Sequence, residues 1–180
     1  MSSFDSANEW RYSRAAVVLH WLLAVLIASM AALGWYMMSI EDEPAGPWYL
    51  SLHKTLGILV FALVVVRVAW RVNHKPAELP ASLPRWEVAT ASITHWLLYA
   101  CMILVPVTGL LGASYSKSGV VFFGIQLPRW MVPNHDTAEL LFSIHEALVW
   151  ILVVLVVFHA VAALKHLLVN RDRVFQRMWF

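Results

Sequence analysis

Eight histidines stand in a chain of 180 residues of which 61% are hydrophobic. Six of them, His20, His53, His95, His145, His159 and His166, fall within or at the ends of four long apolar runs. An ionisable ring at membrane depth is costly, and as a rule it faces a bundle interior with a partner. One such ring alone is satisfied by a hydrogen bond to a neighbouring helix; six together point to shared chemistry. His145 and His159 are 14 residues apart. On a helix that spacing is about 21 Å of rise and leaves the two side chains about 40° apart. A single helix therefore offers two imidazoles, well separated in depth, on one interior stripe. Neutral imidazole is a ligand for transition metals and for haem iron. Zinc wants three or four ligands at one level, usually with Cys or carboxylate help, and separated pairs do not provide that. Copper held by two or three histidines leaves two separated pairs unexplained.

The elements that must position these rings follow from composition. Charged residues make up only 13% of the chain, against about a quarter in soluble domains. The net charge of +2 is too small to suggest nucleic acid, and the basic residues flank apolar runs, so lipid is the expected surrounding. The runs cover about residues 14–38, 49–70, 88–114 and 140–169. Each meets or exceeds the roughly 20 residues that a helix needs to cross a bilayer, and none alternates with period two as a barrel strand does. The first run is too long for the apolar region of a signal peptide and follows Asp5 and Glu9, so it reads as a retained helix. Cys101 is the only cysteine; no intrachain disulfide can form, and the C-x-x-C-H signature of covalent haem attachment is missing. The expectation is an all-α membrane protein, an antiparallel four-helix transmembrane bundle, forming one domain over residues 1–180.

Ten of the thirteen Lys and Arg lie in the amino-terminal segment, the connection from Arg67 to Arg85 and the tail from Lys165 to Arg177. By the positive-inside rule both termini are then cytoplasmic. Trp10, Trp35, Trp48, Trp70, Trp86, Trp130 and Trp179 sit near the proposed boundaries, as an aromatic belt does. Pro76, Pro80 and Pro84 make the cytoplasmic connection extended. The long outer loop, 114–136, carries Gly119, Gly124, Pro128 and Pro133, which are expected to break any regular element. In this arrangement His20 lies at the inner level of His159, and His53 at the outer level of His145. Two His–His pairs result, one per leaflet, and two axial histidines leave no open position at an iron. His95 competes with His20 for the inner pair, and spacing alone leaves that open. Gly57, Gly109 and Gly112 either let a flat macrocycle approach the backbone or serve plain helix packing. Pro106 is expected to kink the third helix. Arg67 and Arg71, one turn apart, reach toward carboxylates of an inner haem, and Lys54 does so at the outer surface; the alternative for each is interfacial snorkelling.

The ordered set Leu19-His20-Trp21, His53-Lys54-x-x-Gly57, Arg67-x-x-x-Arg71, His95-x-x-x-Tyr99, Pro106-x-x-Gly109, His145-Glu146, His159-Ala160 and His166…Arg171-Asp172…Arg177-Met178 resembles the bacterial cytochrome b561 family, related to the di-haem cytochrome b subunits of hydrogenases. The resemblance spans about residues 10–178. It implies a multi-pass protein of the bacterial inner membrane with two non-covalent haem b groups. The iron ligands carried over are His20 with His159 for the inner haem and His53 with His145 for the outer; His95 takes a supporting role near the inner haem. Members exchange electrons with membrane quinone, ubiquinone being the expected co-substrate, and some oxidise superoxide at the periplasmic face. The match places His166 beside the quinone, where it hydrogen-bonds a carbonyl and delivers a proton as the quinol forms; His95 and Arg85 are further candidates there. Two departures stand out. No lysine occurs from Pro80 to Pro84, where some relatives carry them, and the first outer loop reads Glu41-Asp42-Glu43. The outer side sums to −3, unfavourable for steering an anion unless Lys54, Lys117 and Arg129 cluster locally. The resemblance therefore implies an oxidoreductase with superoxide, or an unidentified periplasmic donor, as the electron source. The alternative is a haem subunit relaying electrons for a separate dehydrogenase.

Overall fold

The structure, a computed structural model, describes residues 11–74 and 83–180. The expectations placed on Asp5, Glu9, Trp10, Lys75, Pro76 and Pro80 lie outside those residues. Four helices, α1 (Arg14–Ser39), α2 (Gly46–Asn73), α3 (Arg85–Tyr115) and α4 (His135–Lys165), are each long and apolar enough to cross a membrane. They form the expected antiparallel bundle. α1 lies along α2, α2 touches α3, and α3 lies along α4; among the described residues α4 has no extended backbone contact with α1 or α2.

The burial pattern is that of a protein dissolved in lipid. Val65, Val66, Trp96, Val154 and Val157 are exposed on the outside of the bundle. The interior holds Ala16, Thr55, Arg67, Thr94, Cys101, Ala113 and Ser114. Lipid is as apolar as a valine side chain, so the gain inside comes from close backbone approach and satisfied polar groups rather than from hiding apolar surface. Gly112 shows this on the α3–α4 seam: a Cβ there would stand 2.7 Å from the Phe142 ring.

The helices are longer than their apolar runs, because their ends are set by caps outside the hydrocarbon. α2 begins at Gly46, with Pro47 in its first turn, where a missing N–H costs nothing. α4 begins at His135, with the Asn134 side chain accepting from the Thr137 N–H and Asp136 in the first turn. α3 continues through Pro106.

The loop 114–136 contains regular structure that was not expected of it. β1 (Val121–Phe122) pairs antiparallel with β2 (Ile125–Gln126). Phe123 and Gly124 turn the chain between them with φ of 49° and 76°, both positive as a tight type I′ hairpin needs. Gly124 thus makes the hairpin rather than breaking it. The loop is tied to α2 by the Phe123 N–H donating to the Thr55 hydroxyl at 3.1 Å, and by Lys54 Nζ donating to Ser118 Oγ at 2.8 Å and to the Gly119 carbonyl at 2.9 Å.

At the other end of the bundle the tail folds back onto α1. Trp21 Nε1 donates to the Met178 carbonyl at 2.7 Å, and Trp21 meets the Trp179 ring edge-on. Arg177 is buried, with its guanidinium 5.5 Å from the centre of the Tyr12 ring. This contact joins two stretches far apart in sequence, Leu19-His20-Trp21 and Arg177-Met178, into one structural unit.

Candidate functional site

α4 carries His145 and His159 on its inner face, and each meets a ring from a helix that stands apart from α4. His53 of α2 faces His145 with ring centroids 6.3 Å apart. His20 of α1 faces His159 at 6.1 Å. With imidazole–metal bonds of about 2 Å on each side and about 1 Å from nitrogen to ring centre, two imidazoles sharing one ion have centroids about 6 Å apart. Both pairs have that spacing. His95 of α3 also approaches His159, closer, at 5.3 Å.

The outer pair is held by its surroundings. His145 Nδ1 lies 2.8 Å from the Val105 carbonyl; a carbonyl only accepts, so Nδ1 carries the proton and the Nε2 lone pair is left for a ligand role. Gly109 gives the ring its room, since a Cβ there would stand 2.9 Å from His145 Nδ1. A Cβ on Gly34 would stand 3.4 Å from His53 Cε1, so this glycine also faces the ring but less tightly. The His53 Nδ1 is buried with no hydrogen-bond partner among the described residues. Buried polar atoms are almost always satisfied, so protein packing alone does not account for this ring. Gly109→Ala is expected to push His145 off the Val105 carbonyl. Alanine is otherwise the better helix former by about 1 kcal/mol. The variant should therefore fold, yet hold any metal group shared by His53 and His145 about 10- to 100-fold less tightly, as measured by its transfer to a competing acceptor.

The charged residues fall into three groups. At the His20–His159 end, Arg67 is buried and its Nη1 donates to the Ala16 carbonyl, one turn before His20. Arg71 contacts the Tyr12 hydroxyl at 3.5 Å. At the His53–His145 end, Lys54 and Arg129, distant in sequence, both bind the turn that carries Lys117. Lys54 donates to Ser118 and Gly119, and Arg129 donates to the carbonyls of Ser116 and Lys117. The ammonium of Lys54 keeps one of its three donors beyond these two bonds. The acidic run from Glu41 to Glu43 is exposed in the turn between α1 and α2.

His166 stands at the end of α4, where the helix widens into a π-helical turn, His166–Asn170, closed by Arg171 in the left-handed region at φ 52°. That turn returns Asp172 onto His166, with Nδ1 and Oδ2 2.6 Å apart. Burial alone would raise the Asp172 carboxyl. Hydrogen bonds from His166, the Val174 N–H and Asn170, together with the charge of His166, outweigh it and hold the carboxyl below its usual range. On the ring's other side Nε2 lies 3.9 Å from Glu87 Oε2, and Glu87 Oε1 takes Lys165 Nζ at 2.6 Å. Arg85 is exposed at the first position of α3. Glu87 was missed in the sequence; the signal was one carboxylate in the first turn of an otherwise apolar helix.

The sequence model described as prokaryotic cytochrome b561 matches residues 11–180. Cytochrome b561 homolog 2 of Escherichia coli (strain K12) is 32% identical over 98% of this chain and 94% of its own length. Cytochrome b561 homolog 1 of the same organism is 28% identical, covering 93% and 96%. A probable superoxide oxidase CybB of Yersinia pestis is 27% identical, covering 93% and 95%.

Proposed function

The chain belongs to the prokaryotic cytochrome b561 family, a family of haem-carrying electron-transfer proteins of the bacterial inner membrane, and on that premise we propose that it holds two b haems and passes electrons from a periplasmic donor to ubiquinone. The inner haem is ligated by His20 and His159, the outer by His53 and His145, within one domain over residues 1–180 whose termini are both cytoplasmic. The observation that carries the reading is the two facing pairs, at 6.1 and 6.3 Å, separated by 14 residues along α4.

The residues present fit such a group. Among the described residues no three His, Cys, Asp or Glu side chains converge as a metal site of their own. Each pair thus needs a partner that brings the remaining ligands, as the four nitrogens of a haem do. The helices bearing the paired rings stand apart rather than in contact, and glycines face both outer histidines. When bound, the haems supply one-electron redox centres, one in each leaflet.

The chain's own residues do the rest. Val105 fixes the tautomer of His145 through its carbonyl. Arg67 and Arg71 neutralise the carboxylates of the inner haem, and Lys54 offers its remaining donor to the outer. Superoxide is the leading donor: Lys54, Lys117 and Arg129 gather at one turn beside His53 and offset the acidic run for an approaching anion. Two superoxide anions give up one electron each as two molecules of oxygen leave. Ubiquinone takes those two electrons and two cytoplasmic protons to become the quinol, with His166 hydrogen-bonded to a quinone carbonyl and His95 and Arg85 nearby.

Stopped-flow mixing of the purified protein with superoxide tests this. Haem reduction should outrun the spontaneous decay of superoxide. Reduction no faster than that decay would favour the second reading, a relay subunit for a separate dehydrogenase. The exposed acidic turn, Glu41-Asp42-Glu43, suits a basic protein donor of that kind.

A further inference from the structure

We propose that Glu87 is a proton-transfer residue for quinone reduction and that Asp172 is the residue positioning His166 for the same step. The proposal rests on the quinone reading above. Both ends of the His166 ring face carboxylates: Asp172 Oδ2 at 2.6 Å from Nδ1, and Glu87 Oε2 at 3.9 Å from Nε2. The first is a full hydrogen bond and fixes the ring. The second is too long for one. Glu87 Oε2 is buried and has no hydrogen-bond partner among the described residues, and its side chain is only 12% exposed.

Lys165 holds the other oxygen, Oε1, and so aims Oε2 at the imidazole. Nε2 and Oε2 therefore face one gap from opposite sides. A quinone carbonyl oxygen about 2.8 Å from Nε2 accepts its N–H, and it accepts from Oε2 whenever that oxygen carries a proton.

Reduction of the quinone takes two electrons, from the one-electron donor at the outer face, and two protons. On the near oxygen the new O–H bond takes its proton from His166 Nε2. Glu87 Oε2 then takes up a proton from cytoplasmic water and passes it to Nε2, which leaves Glu87 again a carboxylate held by Lys165. The proton on the far oxygen comes from cytoplasmic water. Asp172 stays a carboxylate throughout and keeps Nε2 turned toward the gap. The charged and titratable groups around His166 are Glu87 and Arg85 on α3, Lys165 on α4, and Arg171, Asp172 and Arg173 beyond it, with the Asn170 amide beside the ring.

Glu87→Gln in the full-length holoprotein is the test, read by calorimetric binding of a short-chain ubiquinone and by quinol formation from pH 6 to 9. The variant should keep both haem spectra and bind the quinone within about threefold of the parent. It should form quinol roughly 100-fold more slowly, with the pH profile altered. Glu87→Asp, which keeps an acid, should recover most of the rate, and Lys165→Met, which keeps the carboxyl but loosens its aim, should lose part of the rate yet clearly less than Glu87→Gln. Asp172→Asn should shift the pH profile with haem content unchanged. Quinol formation by Glu87→Gln within threefold of the parent at every pH would overturn the role. So would equal losses in Glu87→Gln and Lys165→Met, or no recovery in Glu87→Asp, since these indicate a structural ion pair. A parent protein that binds no quinone would overturn the functional reading as well; a parent that reduces quinone beside an unimpaired Glu87→Gln overturns this role alone.

Discussion

Replacing His145 by glycine should remove one of the two haems from every chain and reduce superoxide-driven haem reduction to the level of spontaneous decay. The His53 ring would lose the partner 6.3 Å away, and an iron with one axial ligand is held far less firmly than one with two. The same outcome is expected for His53→Gly. The inner haem should persist in both variants, because His20 of α1 and His159 of α4 lie at the other end of the bundle, about 21 Å along α4 from His145. Added imidazole should restore the outer spectrum in His145→Gly, since the cavity left by the ring retains the Val105 carbonyl that orients it. Haem quantitation per chain, with and without imidazole, checks this. Loss of both haems, or of neither, would contradict the assignment of separate sites.

The second large effect separates two histidines that spacing could not. His95 lies closer to His159 than His20 does, 5.3 against 6.1 Å. Proximity is nevertheless the wrong criterion. A flat prosthetic group held by two histidines would need their helices to stand apart. α3 and α4 pack along each other, which disfavours such a group between His95 and His159; α1 and α4 share no extended contact among the described residues. His20→Ala should therefore abolish the inner haem and with it quinone reduction, while His95→Ala should keep the haem. Measured haem content in the two variants decides between them. Retention in His20→Ala with loss in His95→Ala would reverse the pairing.

Much of this architecture was legible because lipid imposes few solutions. A backbone that must satisfy its own hydrogen bonds in hydrocarbon is helical, so four apolar runs gave four helices. The 14-residue interval between His145 and His159 placed both on one face by arithmetic alone. Helix ends were less legible, since Pro47 and Asn134 act in the polar zone beyond the apolar runs. The outer hairpin escaped notice because its four paired residues, Val121, Phe122, Ile125 and Gln126, are too few to show a period, and because Gly124 reads as a breaker when it is a turn former. Glu87 and Asp172 were hidden for another reason. Asp172 reaches His166 only because the end of α4 widens and Arg171 reverses the chain. Glu87 comes from a helix 78 residues earlier than the Lys165 it holds. Such contacts are set by packing between helices, not by any local pattern.

The clustering of Lys54, Lys117 and Arg129 has the same origin. In sequence the outer side is net acidic, which argues against an anionic donor. In the fold the Lys54 and Arg129 side chains both bind the turn from Ser116 to Gly119, which carries Lys117, while the acidic run sits in another connection. Local field, rather than summed charge, governs the approach of a small anion.

The most direct test of the account is a reduced-minus-oxidised optical spectrum of the purified protein, with haem quantitation per chain. Two histidine pairs predict a low-spin b-type spectrum and two haems per chain. One haem, a high-spin spectrum or none at all would contradict it.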